Sequence, residues 1–340
     1  MSDNETTLKD RLAALVRSFT GRRVLVVGDI VADQFVFGEI SRVSREAPVM
    51  ILRHERTETV PGGAANCAMN IASLGARAAI VGVVGDDEAG RELLEKLSGA
   101  GVDCDGVAVT AKMRTTTKVR LLAGHAHSPR QQVIRMDYES EPLSDTGLAD
   151  EIAKSVGERS REVDAAIISD YNYGVARGEA LTFLRERAAG GGLPVLVDSR
   201  FRLDEFAGFT SATPNEDELE QVAGKRLETD GELAEEGERI RARLGYEALL
   251  VTRGKHGMLL VEKGREPLQL DAVGTHDAVD VTGAGDTVIA TYALALASGA
   301  DFREAARLAN HAGGIVVLKR GTACVLAQEL LNSLARGADA

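Results

Sequence analysis

Short aliphatic runs alternate along this chain with segments of helical period. The runs are VLVVG at 24–28, AIVGVVG at 79–85, AAIISD at 165–170, PVLVD at 194–198 and ALLVT at 248–252. Helices are expected near 64–74, 87–98, 145–158, 177–189, 215–223, 230–244, 284–298, 302–318 and 326–336, each closed by a Gly, Pro or polar break, after a first helix from about Leu8 to Phe19. This alternation predicts an α/β fold, a mostly parallel sheet covered by helices on both faces. Two regions, about 35–60 and 115–137, break the rhythm: QFVFGEISRV, PVMILRHERTETV, TTTKVRLLAG and QQVIRMD place Val and Ile on one side and Arg, Lys or Thr on the other. They read as antiparallel strands inserted into the domain, a small sheet able to cover a site, to pair with a second subunit, or to extend the fold without further role. No repeat, low-complexity tract or long linker divides the chain, so residues 1–340 read as a single domain with a lid.

With 340 residues, 44% hydrophobic and 27% charged, the chain is long enough for one large α/β domain with an appendage. A formal net charge of −12 argues against nucleic acid and anionic membranes as partners, while local amides, a few cations and Mg²⁺ can still meet a nucleotide. Cys67, Cys104 and Cys324 form no Cys-x-x-Cys pair, so neither a disulfide framework nor a zinc knuckle is expected. The amino terminus has no signal-peptide core and no window reaches membrane-spanning length, which makes a cytoplasmic location the expectation. His125 and His127 read as surface or structural residues.

The candidate chemistry begins at Asp280-Val281-Thr282-Gly283-Ala284-Gly285-Asp286-Thr287, a glycine-rich turn opening an apolar helix. Unpaired N–H groups at such a terminus attract anions, and Asp286 projects toward whatever the anion is bonded to. A carboxylate there can accept the proton of a hydroxyl attacking a terminal phosphate. An isolated Gly-Ala-Gly-Asp also fits a plain helix start. Pro61-Gly62-Gly63-Ala64-Ala65-Asn66 runs from a strand into another apolar helix, with an amide suited to sugar hydroxyls, or simply makes a tight turn. Asp29, Asp33 and Asp170 follow strand ends, where ligands bind in open parallel sheets. Asn215 and Glu218 share one helix face, either organising water around magnesium or capping the helix. Thr252-Arg253-Gly254-Lys255-His256-Gly257 ends a strand in a glycine-rich loop with two cations, suited to ATP phosphates or to a β-turn. A Walker phosphate loop, a Gly-x-Gly-x-x-Gly after the first strand and His-Glu-x-x-His are all missing from the sequence.

Together, Gly-Gly-x-x-Asn at 62–66 and Asp-x-Thr-Gly-Ala-Gly-Asp at 280–286 resemble the paired signatures of the ribokinase-like (PfkB) carbohydrate kinases, over residues 22 to 332. The resemblance implies a doubly wound, mostly parallel sheet with a small β-sheet lid. It implies Asp286 as catalytic base and Gly283, Ala284 and Gly285 as the anion hole. It places Asp33, Gly62, Gly63, Asn66 and Asp170 around the sugar, Asn215 and Glu218 near Mg²⁺ (Glu218 through water), and Thr252, Gly254, Gly257 and Asn310 toward ATP. Asp280 matches a position that in some members helps hold a monovalent cation such as K⁺. Within the family the chain is most similar to the D-glycero-β-D-manno-heptose 7-phosphate kinases, through Ser41-Arg42-Val43-Ser44, Glu46-Ala47-Pro48-Val49, Ile134-Arg135-Met136-Asp137 and Ser169-Asp170-Tyr171. A distal phosphate on the acceptor demands cations, and Arg42, Arg45, Lys118 and Arg120 on the lid are the candidates. Tyr173 stands where those kinases usually carry Lys, and Asp198-Ser199-Arg200 where Asp-Pro-Lys is common. The expected activity is therefore ATP-dependent phosphorylation of a sugar hydroxyl by a homodimer joined through its lid. The alternatives are a kinase of another sugar, sugar phosphate or nucleoside, and a non-catalytic sugar- or nucleotide-binding module.

Overall fold

The computed structural model describes residues 3–124, 130–274 and 278–336, with side chains from residue 7 onward. His125 and His127 lie outside the described residues. The strands are β1 (Arg23–Gly28), β2 (Ile30–Val43), β3 (Met50–Gly63), β4 (Arg77–Gly85), β5 (Asp103–Thr110), β6 (Thr116–Gly124), β7 (Gln131–Tyr138), β8 (Ala165–Asp170), β9 (Val195–Ser199), β10 (Ser211–Ala212), β11 (Ala248–Thr252), β12 (Met258–Glu262) and β13 (Leu268–Leu270). Nine of them form one sheet in the order β13-β12-β11-β10-β9-β8-β1-β4-β5, parallel except for β12 and β13.

Every central strand divides its side chains between two cores. Val24 and Val26 pack with the helices Ala64–Ser73, Ala284–Ala297 and Phe302–Val316, whereas Leu25 and Val27 pack with Thr146–Arg159 and Gly178–Ala188 on the opposite face. Period-two alternation in an all-apolar run therefore buries both faces. From β1 the chain winds outward to β4 and β5, then returns to β8 and winds the other way to β11. The switch between β1 and β8 opens a crevice at the carboxyl ends of the strands, where α/β sheets bind ligands.

The helices lie within a few residues of the ranges expected from the sequence. Four strands without counterpart in that reading are β5, β10, β12 and β13. All but β10 lie toward the sheet edges, where a mixed pattern such as DCDGVAVT carries weak periodicity; β10 is only two residues long.

The interrupting regions form a separate four-stranded sheet ordered β3-β2-β6-β7. Each region is an antiparallel hairpin, and the two are joined by a parallel pairing of Val31–Glu39 with Thr116–Gly124. The base of this lid is buried around Asp33, while Arg42 and Arg45 at its tip are exposed. Among the described residues, no helix is long and apolar enough to cross a membrane.

Candidate active site

Asp286 sits in the first turn of the helix Ala284–Ala297, 3% exposed, with both oxygens engaged. Asn66 Nδ2 donates to Oδ2 at 2.8 Å, and Tyr171 O–H and Cys67 Sγ approach Oδ1 at 3.3 and 3.6 Å. Burial pushes the carboxyl up to about 6, Asn66 and Tyr171 work against that rise, and the nearby Asp33 charge adds to it. This carboxylate is more basic than the ordinary aspartate expected from sequence.

Gly283 begins this helix with φ 75°, a left-handed conformation that a Cβ disfavours. A Cβ there would also lie 2.5 Å from Asn66 Nδ2, the group that holds the base. Among the described residues, the N–H groups of Gly283, Gly285 and Asp286 have no partner. Ala284 is a correction to the expected anion hole: its N–H turns back to the Val281 carbonyl at 3.2 Å. The turn geometry that opens the helix uses that donor, leaving the cradle to 283, 285 and 286.

Gly285, with Thr252 and Val281, lines two cavities, and Asp286 follows it in the first turn of the helix. The first, about 190 Å³, is walled by Thr252, Gly254, Lys255, Gly257, Val273 and Asn310, an apolar slot with a polar rim. All four residues expected toward ATP line it. Arg253 does not, because its guanidinium pairs with Glu216 at 2.8 Å and Asp230 at 2.6 Å. The second cavity, about 270 Å³, is lined by Tyr171, Asp198, Arg200, Thr213, Asn215 and Glu218.

Asn215 and Glu218 form a reciprocal capping box, Glu218 N–H donating to Asn215 Oδ1 at 2.8 Å and Asn215 N–H to Glu218 Oε2 at 2.9 Å. The capping role and a place on the cavity wall coexist. Burial, then the neighbouring Glu218, Asp286 and Asp170 carboxylates, push Asp198 well above its ordinary range. Burial raises Glu218 as well, against the Asn215 N–H and Arg200. Two adjacent carboxylates that destabilise each other fit a divalent cation between them. Among the described residues no group of three or more His, Cys, Asp or Glu side chains has metal-site spacing. Asp280 accepts from the N–H groups of Thr282 and Gly321, each at 2.9 Å. Burial alone would raise it, but those backbone donors outweigh burial and hold it below its ordinary value.

On the acceptor side, Asp33 is 6% exposed, pairs with Arg120 and accepts from Thr322 Oγ1 at 3.1 Å. Gly62 lets it approach, since a Cβ there would lie 2.6 Å from Asp33 Oδ2; Gly63 follows, buried, at the start of the helix Ala64–Ser73. Four expectations change here. Asp170 is not a free sugar ligand: Arg202, Ser199 Oγ at 2.7 Å and Asn172 N–H at 3.3 Å occupy its carboxylate. Asp29 likewise anchors a loop, accepting from the N–H groups of Tyr171, Tyr173 and Val175, and burial pushes it up to about 6. Asn66 has its amide nitrogen on Asp286 and its oxygen on Asn70 Nδ2 at 3.1 Å, so it holds the base rather than facing a ligand freely. Arg42 and Arg45 lie at the lid tip; Arg42 is nine residues beyond Asp33 along β2, roughly 30 Å at strand rise, and neither reaches the site of its own protomer.

Lys118 does reach it. Paired in register with Asp33, it is 7% exposed, has no ion-pair partner among the described residues and lies 5.0 Å from the Tyr171 ring centre. Burial, then the Arg200 cation, lower its affinity for a proton. Arg200 has no ion-pair partner among the described residues either. Two cations without ion-pair partners among the described residues, one of which acts on the charge of the other, suit an anion nearby. Tyr171, Cys67, Arg202 and Thr322 are neighbours of the site that local sequence patterns do not single out, because each meets a partner 32 or more residues away.

The chain belongs to the pfkB family carbohydrate kinases, whose pattern it matches over residues 22–328. It is 43% identical over 310 residues to the D-beta-D-heptose 7-phosphate kinase of Bordetella bronchiseptica, covering 91% of this chain and 95% of that protein. It is 42% identical over 334 residues to the Bifunctional protein HldE of Caulobacter sp. (strain K31), covering 97% of this chain and 66% of that protein. The chain thus spans just under two thirds of such bifunctional relatives. In fold it matches Arabidopsis thaliana ribokinase complexed with ribose and ATP, with a TM-score of 0.70 and 22% identity over 93% of this chain and 99% of that one.

Proposed function

We propose that this chain is an ATP- and Mg²⁺-dependent sugar kinase whose acceptor is D-glycero-β-D-manno-heptose 7-phosphate, converted to the 1,7-bisphosphate. The observation that carries the kinase reading is the turn at Gly285, which lines both cavities and carries amides without partners among the described residues, next to the buried Asp286 carboxylate. Asp286 accepts the proton of the attacking hydroxyl as its oxygen bonds to the γ-phosphorus and the bond to the β–γ bridging oxygen breaks, releasing ADP. The N–H groups of Gly283 and Gly285 stabilise charge on the transferring group. Thr252, Gly254, Gly257 and Asn310 hold the nucleotide, and Asp33 with Gly62 and Gly63 orients the sugar. Glu218, through water, and Asp198 would hold Mg²⁺, which would supply charge to neutralise the phosphates. Asp280 would support a K⁺ ion.

Lys118 and Arg200 support a phosphorylated acceptor, as does the 43% identity to a kinase so named. An acceptor panel read by ADP release tests this, with heptose 7-phosphate expected to give the highest kcat/KM. Lys118→Ala should raise KM for phosphorylated acceptors about tenfold or more while leaving unphosphorylated sugars unaffected. Equal effects on both classes would remove the phosphate from this position, and ATP binding without turnover of any acceptor would favour a binding module instead.

The lid is also proposed as the surface joining a homodimer. Ile134, Met136 and Tyr138 on β7 are 57, 49 and 38% exposed, and Val43, Val49 and Met50 at the lid tip are 62, 55 and 47% exposed. Strand β7 is an edge of its sheet, and an exposed apolar edge of this kind seeks a partner. Ile134→Asp with Met136→Asp should convert a dimer into a monomer in sedimentation equilibrium; an unchanged mass would place the interface elsewhere.

A further inference from the structure

The proposed mechanism uses one carboxylate, but the surroundings of Asp286 distinguish its two oxygens. A carboxylate oxygen accepts about two hydrogen bonds. Oδ1 has two donors, Tyr171 O–H at 3.3 Å and Cys67 S–H at 3.6 Å, whereas Oδ2 has one, Asn66 Nδ2 at 2.8 Å. Among the described residues, only Oδ2 keeps a vacant acceptor position. We propose that Tyr171 is a positioning residue for phosphoryl transfer, which with Cys67 saturates Oδ1 of Asp286 and assigns the proton-accepting work to Oδ2.

The backbone holds Tyr171 in that place. Its N–H donates to Asp29 Oδ2 at 2.8 Å, and Asp29 also gathers the N–H groups of Tyr173 and Val175, so a buried carboxylate fixes the loop from which the phenol extends. The ring lines the second cavity and receives the Lys118 ammonium on one face. Burial, then the Asp286, Asp198 and Cys67 charges, push the phenol well above its ordinary value, so it remains a donor at every working pH. Burial and the Asp286 and Asp198 carboxylates likewise raise the Cys67 thiol, keeping it protonated. The ionisable groups acting on Asp286 and Tyr171 are Cys67 on the helix Ala64–Ser73, Asp33 on β2, Lys118 on β6, Asp198 at the end of β9 and Cys324 ahead of the last helix. Lys118 and Asp198 are common to wild type and variant, so comparing the two isolates the hydroxyl.

This inference rests on Asp286 being the base, and the experiment separates the two claims. Asp286→Asn, Tyr171→Phe and Cys67→Ala are compared with wild type in full kcat and KM profiles from pH 5 to 9, with thermal melting as a check on folding. Tyr171→Phe keeps the ring and removes one donor. It is expected to lower kcat about 5- to 50-fold, leave both KM values within about twofold, and move the acid limb of kcat/KM upward by roughly half a pH unit or more. Cys67→Ala is expected to move the limb in the same direction by less, as a weaker donor should. An unmoved limb in both variants, or a Tyr171→Phe loss that falls on KM rather than kcat, overturns the inference while an inactive Asp286→Asn leaves the base in place. An active Asp286→Asn overturns the base reading itself.

Discussion

Asp286→Asn is expected to lower kcat by about 10²–10⁴-fold at neutral pH while the affinity for ATP stays within about twofold of wild type. Asparagine keeps the shape and the contact with Asn66 but cannot take a proton, so the loss should fall on the chemical step. Isothermal titration with a non-hydrolysable ATP analogue and steady-state ADP release measure the two parts separately. The wild-type pH profile gives an independent check. Burial raises the Asp286 carboxyl to about 6, so the ionised, proton-accepting form prevails above that value and is lost below it. kcat/KM should therefore fall about tenfold for each pH unit below the limb, and the residual activity of the variant should lack that limb. Retention of more than about a tenth of wild-type kcat would take the base role from Asp286.

Gly283→Ala carries the second largest expected effect. The position has φ 75°, and an added Cβ would lie 2.5 Å from Asn66 Nδ2 and 3.0 Å from Thr322 Cγ2. Left-handed backbone costs an alanine about 1–2 kcal/mol, and relieving the contact must shift either the phosphate cradle or the amide that orients the base. A loss of kcat of about 10²–10³-fold is expected, the scale of removing one oxyanion-type donor, together with a Tm lower by a few degrees. Gly285→Ala is the control for stability, because its Cβ would meet only Asp198 Oδ2 at 3.8 Å and its Tm should not change. A Gly283→Ala enzyme with wild-type kcat would show that the turn is a helix start and nothing more.

The two glycine turns were visible in the sequence because each carries its meaning locally. A backbone that must adopt positive φ at a helix start leaves few residue types besides glycine, and an apolar run behind it declares the helix. Helix limits were legible for the same reason. Asn215 with Glu218, Thr229 with Glu232 and Asp301 with Glu304 all form reciprocal capping boxes, a signal spanning four residues. The edge strands were not legible, since β12 and β13 are short and pair antiparallel at one margin, where neither long apolar runs nor strict alternation is required.

The site divides along the same line. Asp286, Gly283, Gly285 and the residues of the nucleotide cavity lie close to their own motifs. The fate of the acidic strand ends did not follow from their positions: Asp33 stayed at the acceptor side, while Asp29 and Asp170 became anchors for backbone N–H groups, Ser199 and Arg202. Arg42 and Lys118 looked equivalent as lid cations, and the register of β2 against β6 placed one at the tip and the other opposite Asp33.

The sequence by itself determined the alternating α/β frame, the lid insertions and the two glycine-opened helices, and it marked Asp286 as the candidate carboxylate, because period, capping and glycine conformation are short-range properties. Only the tertiary structure decided which carboxylates remain available, which cations face the acceptor and how Tyr171, Cys67 and Asn66 surround Asp286. The last of these depends on contacts between residues 115 to 220 positions apart, whose distances are set when the sheet closes its cores and not by any local preference of the chain.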